Sequence, residues 1–187
     1  MDAAKKLSEV YISEQNEDWK KAISQYEALY REEPSGDIAI HFAFLCWYLL
    51  WQWDQISFPG ETISPYERMS AEVRNGISQS SLASHLDAAA KQLLSCTRTP
   101  VQYLIVLVHM KKIYPYFFRD ETFSELAAQQ LLNSIREEAA DDPGVNAIRT
   151  YLQDDSMAKI TPEEKEAACG LFPNGSLMQT YFTWLFH

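Results

Sequence analysis

Glycine is scarce in this chain, with six in 187 residues. Neither GxGxxG nor GxxxxGK followed by Ser or Thr occurs, so the glycine-rich loops that cradle a nucleotide's phosphates are not expected. Cysteine is scarcer still. Cys46, Cys96 and Cys169 lie far apart and form no CxxC pair, which leaves neither a zinc site nor a disulfide framework to propose. Positive charge is also deficient. Sixteen Lys and Arg face 26 Asp and Glu, for a net charge of −10, and the basic doublets are confined to Lys5-Lys6, Lys20-Lys21 and Lys111-Lys112. Such a field repels nucleic acid and anionic membranes and attracts a basic partner. No period-2 strand pattern with hairpin turns appears anywhere. The opening stretch MDAAKKLSEVYISEQNEDW has no apolar core region, so a secretory leader is not expected. The Asn174-Gly175-Ser176 sequon would then never meet the glycosylation machinery, and a reducing cytoplasm is the expected compartment.

What is present is apolar and aromatic. A hydrophobic fraction of 47% and an aromatic fraction of 13% argue against disorder. The chain is long enough for one domain to bury a sizeable core unaided. Ile38 to Trp51 reads IAIHFAFLCWYLLW, a run interrupted only by His41, with Asp37 before it as the expected helix cap. A run of this length is a helix rather than a strand, and it is shorter than the roughly 20 residues a bilayer requires. A helix apolar on every side must be surrounded by other elements. The expected fold is therefore all-α: one compact bundle of about eight to ten helices around a buried central helix. It spans 1–187 as a single domain, with a subdivision into 1–56 and 64–187 left open.

Periodicity and capping chemistry supply the remaining helices. Leu7, Val10, Tyr11 and Glu14 mark a stripe on a first helix over residues 3–15. Asn16 or Asp18 caps a second, whose Trp19, Ala22, Ile23, Tyr26, Leu29 and Tyr30 follow a 3.6-residue period until Pro34-Ser35-Gly36 breaks it. Residues 57–64 read as a loop, and Ser64-Pro65-Tyr66-Glu67 as a helix start. Propensity falls near Asn75-Gly76, and a piece from Ser78–Ser81 to Ser95 follows. A second strongly apolar helix opens after Thr99-Pro100 and ends or kinks at Pro115. Thr122-x-x-Glu125 and Thr161-x-x-Glu164 read as capping boxes, Asp142-Pro143 as a cap, and Gly170 as a terminator. The last segment, SLMQTYFTWLF, is read as a helix in preference to a strand, because nothing else supplies a sheet partner.

The stretch WKKAISQYEALYREEP, Trp19 to Pro34, resembles the second half of a tetratricopeptide repeat. Trp19, Ala22, Tyr26 and Pro34 fall on the repeat's aromatic, small, aromatic and proline positions. The first helix lacks the repeat's Leu-Gly pair, the connection reads as about two residues, and no 34-residue recurrence follows. The resemblance implies helical stacking at the N-terminus.

Groups able to do chemistry are scattered. His41, His85, His109 and His187 show no metal-ligand spacing. His41 and His109 sit inside apolar helices and read as core histidines, and Cys46 as a small buried hydrophobe. No Ser lies in a GxSxG elbow. His85, Asp87, Glu67 and Tyr66 are the weak candidates for a site assembled from distant residues. No metal and no cofactor is expected.

Two surface features remain. Between Glu137 and Glu166 the chain carries nine acidic residues against Arg149, Lys159 and Lys165, so six of the ten net negative charges concentrate there. Glu137, Glu138, Asp141, Asp142, Asp154 and Asp155 are the candidate acidic docking face. The cluster Trp47, Tyr48, Trp51, Trp53 and Phe58 ends the central helix. Two Trp at a spacing of two cannot share one helix side, so Trp51 or Trp53 is the candidate aromatic contact. In type, a small acidic all-helical chain without catalytic motifs resembles the immunity proteins of bacterial contact-dependent and polymorphic toxin systems. That resemblance implies a non-catalytic inhibitor that occludes one basic partner, a nuclease-like toxin domain, by steric and electrostatic means. A tetratricopeptide-like adaptor binding a peptide is the alternative, and an enzyme with a dispersed site the third.

Overall fold

The apolar run folds as the charge-free sequence demands: every residue from Ile38 to Leu50 is buried. In the computed structural model, which describes residues 3–55, 76–96, 98–119, 123–138, 141–154 and 156–187, this run lies in a helix surrounded by the others. Among the described residues there are nine α-helices and no strands. They are α1 (Ala3–Gln15), α2 (Trp19–Glu32), α3 (Gly36–Gln55), α4 (Gln79–Ser95), α5 (Val101–Ile113), α6 (Glu125–Glu138), α7 (Pro143–Asp154), α8 (Pro162–Gly170) and α9 (Leu177–Phe186). A 3₁₀ turn, Pro115–Phe117, follows α5 where Pro115 denies the helix its next backbone donor.

Helix α3 packs most extensively on α4 and also touches α2, α5 and α9. Its apolar circumference explains that central position. Each fully buried large side chain is worth roughly 1.5–3 kcal/mol relative to exposure. Helix α5 is its counterpart, with every residue from Ile105 to Lys111 buried. The outer helices carry single stripes. In α1, Leu7, Val10, Tyr11 and Glu14 are all buried, and in α2 so are Trp19, Ala22, Tyr26 and Leu29, with Ile23 and Tyr30 at the stripe's edge. Tyr26 stacks on Phe42 of α3 at 5.5 Å between ring centroids. One continuous set of buried side chains runs from Leu7 to Phe186.

The caps follow the sequence in most places. Asp18 accepts from the Lys21 N–H, and Ser78 from Ser81. Asp142 Oδ1 accepts from both Gly144 and Val145 at 3.0 Å, and Thr161 and Glu164 form a complete capping box. Two starts differ from expectation. Ser35, rather than Asp37, caps α3: its Oγ accepts from Ile38 and its carbonyl from Ala39. Asp37 is already in the first turn, where its carboxylate accepts from the Tyr103 hydroxyl at 2.6 Å and also suits the positive end of the helix dipole. Helix α6 opens behind Ser124, whose Oγ accepts from Ala127, two residues after Thr122. Gly170 is the last residue of α8, and no left-handed glycine closes it; among the described residues Gly175 is the glycine with positive φ, at 80°. The C-terminal segment is a helix, capped by Ser176. Thr122, the loop over 57–64 and the helix start at Ser64–Glu67 lie outside the described residues. No described helix is long and apolar enough to cross a membrane.

Candidate functional site

The expected acidic face divides into groups with different jobs. Asp141 is exposed just before α7. Asp142 is half-buried, and its carboxylate is occupied by the two backbone donors of the α7 cap. Asp154 ends the same helix, exposed and 2.9 Å from Lys159 Nζ. Helix α7 has 12 residues and is roughly 18 Å long at 1.5 Å per residue, and Asp141 and Asp154 stand at its opposite ends. The backbone of Glu137 and Glu138 closes α6, and their side chains, like Asp155, lie outside the described residues.

The aromatic candidates are better resolved in kind. Trp47 is fully buried and its indole N–H donates to the Met110 carbonyl at 3.2 Å. Trp51, one turn on and half-buried, stacks on Trp47 at 6.1 Å with an interplanar angle of 20°. Trp184 of α9 comes next, 6.4 Å from Trp51 and 56% exposed. Tyr181, one turn before Trp184, meets Trp51 edge-on at 6.2 Å and 90°. The three indoles thus step from core to surface. Trp53 and Phe58 lie outside the described side chains. The sequence reading did not single out Trp184, which is separated from Trp51 by most of the chain. Its signal was the register of α9: Leu177, Met178, Tyr181, Phe182 and Phe186 make the buried stripe, and Trp184 falls off it.

Buried polar groups are paired mainly with tyrosines. Glu14 is 4% exposed and lies on the apolar stripe of α1. Its Oε1 accepts from the Tyr26 hydroxyl and its Oε2 from the Leu177 N–H, each at 2.9 Å. Burial pushes its pKa up to about 7, against the lowering effect of those two donors. His41 shares a hydrogen bond with the Tyr11 hydroxyl at 3.1 Å, and His109 with that of Tyr181 at 2.9 Å. Burial lowers both imidazoles to about 3, so each is neutral. Their Nδ1 atoms find no partner among the described residues. Cys46 is fully buried and its thiol is pushed up by burial.

Among the described residues, His85 gathers groups that resemble a nucleophile system. Its Nε2 is 3.2 Å from Ser81 Oγ and 3.0 Å from Glu27 Oε1. A Ser–His–carboxylate relay needs the nucleophile on one ring nitrogen and the orienting carboxylate on the other. Here both partners share Nε2, so the arrangement is a surface polar cluster. Asp87, two residues along, points elsewhere and accepts from the Arg119 N–H at 3.1 Å. Glu67 and Tyr66 lie outside the described residues. A surface depression of about 450 Å³ opens between Lys111, Lys112 and Leu126, and one of about 140 Å³ between Ala83, Phe117 and Arg119. The larger also has Glu125 in its lining, so a carboxylate and two lysine amines share it, while the smaller has Gln79, Tyr116 and Arg119 and no carboxylate. Among the described residues, no three His, Cys, Asp or Glu side chains converge as metal ligands would. The chain matches no protein-family model, no curated protein and no solved structure.

Proposed function

We propose that this chain is a non-catalytic protein-binding inhibitor, an immunity protein that neutralises a basic, nuclease-like bacterial toxin by occluding it. One observation carries the reading: a molecule of net charge −10 presents a 56%-exposed tryptophan seated on a rigid aromatic base. Exposed tryptophans held in place by packing are favoured interface anchors. A strong negative field steers a basic partner towards them and raises its association rate 10-fold or more. In this reading Asp141 and Asp154 supply steering and Trp51 with Trp184 the buried contact. Asp142 serves the fold first, as the cap of α7.

The adaptor alternative needs a concave face lined by the first three helices. The burial of α3 from Ile38 to Leu50 weighs against a groove along that stretch.

The test is protection and binding together. Cells producing the chain should survive the toxin domain encoded beside it, and the purified pair should associate with a salt-dependent rate. Reversing charge at both Asp141 and Asp154 to Lys should slow association about 10-fold with little change in the dissociation rate. A toxin domain that kills regardless of the chain, or a rate indifferent to salt, would remove this reading.

A further inference from the structure

We infer that the exposed face of Trp184, backed by Trp51 and Tyr181, is the seat for an arginine side chain of a basic protein partner. The inference rests on the docking role proposed above and names the chemistry it would receive. Trp184 packs against two aromatic neighbours. Its ring lies 6.0 Å from Tyr181 and 6.4 Å from Trp51, which sits on the buried Trp47. Tyr181 is itself fixed, 7% exposed with its hydroxyl bonded to His109. The shelf is therefore preorganised and loses little freedom on binding. Even so, Trp184 is 56% exposed.

The occupant follows from charge. An indole face carries the negative lobe of the ring quadrupole and is the strongest cation–π acceptor among the side chains. Helix α9 (LMQTYFTWLF) supplies neither Lys nor Arg to cover it. Among the described residues the cation–π contact is elsewhere, Lys111 over Phe118 at 5.3 Å. A second copy of the chain would bring another net charge of −10 and be repelled, and an anionic lipid surface would be repelled likewise. A cationic protein segment is attracted by the same field. Guanidinium is preferred to ammonium because it is planar, weakly hydrated and stacks on aromatic faces.

The experiment is a calorimetric titration of the full chain with a short arginine-rich peptide and with the same peptide carrying citrulline, which keeps the shape and removes the charge. Trp184→Phe, Trp184→Leu and Trp184→Ala are compared with the original, with Leu126→Ala as control at another exposed apolar position (68%). The arginine peptide should bind in a salt-sensitive manner, and citrulline should weaken it roughly tenfold or more. Trp184→Leu and Trp184→Ala should weaken it similarly, Trp184→Phe should retain most of the affinity, and Leu126→Ala all of it. Leucine matching tryptophan, or citrulline matching arginine, would overturn the arginine seat. Salt-sensitive binding untouched by every Trp184 variant would also overturn it while leaving the acidic docking face standing. Binding indifferent to salt would remove the docking face as well.

Discussion

At the scale of single residues, Glu14 decides how the chain responds to pH. Its carboxyl is buried between Tyr26 and the first N–H of α9, and its pKa stands near 7 against an ordinary 4.5. The folded state thus holds a proton that the unfolded chain releases between these values. For a group shifted this way, stability is fully present below pH 4.5 and is lost as pH rises towards 7. A shift of this size corresponds to roughly 3 kcal/mol. Glu14→Gln keeps the shape and removes the titration. The difference in unfolding free energy between the two proteins should therefore move by about that amount across the window, in favour of the variant at the alkaline end. Denaturant unfolding at pH values on both sides of the window measures it, and a constant difference would refute the assignment. The stripe of α1 already placed Glu14 among apolar residues in the sequence. Its partner Leu177 stands 163 positions away, and no local pattern encodes that distance. The same gap hid Trp184, Glu27 beside His85, and the Asp37–Tyr103 bond. In each case one half of the pair was legible as a helix position, while the meeting depended on how helices pack.

At the scale of elements, the helices themselves were legible because two signals agreed. Apolar residues recurred at helical spacing, and Asp18, Ser78, Asp142 and Thr161 stood where unpaired N–H groups needed acceptors. Where two candidates were adjacent, as with Ser35 and Asp37, position alone did not choose. The reach from Ser35 Oγ to the Ile38 N–H did, which freed Asp37 for Tyr103. Helix α7 gives two predictions, one at its cap and one where it packs on α8. Asp142→Ala removes the acceptor of two backbone donors and should cost about 1–2 kcal/mol, seen as a lowered thermal midpoint. Charge reversal at Asp142 would therefore confound folding with binding, which is why Asp141 and Asp154 are the informative pair. Gly144→Ala places two effects in opposition. A helical alanine gains about 1 kcal/mol over glycine. A Cβ at this site, however, would meet the Ala167 carbonyl oxygen and Leu171 Cγ, each at 2.8 Å. Backbone does not yield as a flexible side chain does, so the clash should win with a net loss of about 1–3 kcal/mol. A variant as stable as the parent would mean that α7 and α8 separate freely.

At the scale of the whole molecule, the apolar and the charged residues act on different problems. The two most apolar segments, Ile38–Leu50 of α3 and Ile105–Lys111 of α5, are buried throughout, and the outer helices add single stripes to the same core. A cavity in α3 should therefore be felt globally. Leu45→Ala, at a fully buried position, should cost 2–5 kcal/mol, because neighbours on every side prevent collapse into the void. The charged residues, 22% of the chain, act at long range. A net charge of −10 opposes self-association and sets a long-range attraction that salt screens, with a Debye length falling from about 30 Å at 0.01 M to about 10 Å at 0.1 M ionic strength. The roughly 18 Å length of α7, with Asp141 and Asp154 at its two ends, lies between these lengths. At low ionic strength a cationic surface feels both ends of α7 at once, and at higher ionic strength each separately. The association rate with a basic partner should therefore fall steeply between these two conditions in the original chain. With both aspartates reversed it should fall much less, while dissociation stays nearly constant. Stopped-flow measurements at the two ionic strengths separate the cases. Equal salt slopes for the two proteins would mean that encounter is governed by charges away from α7.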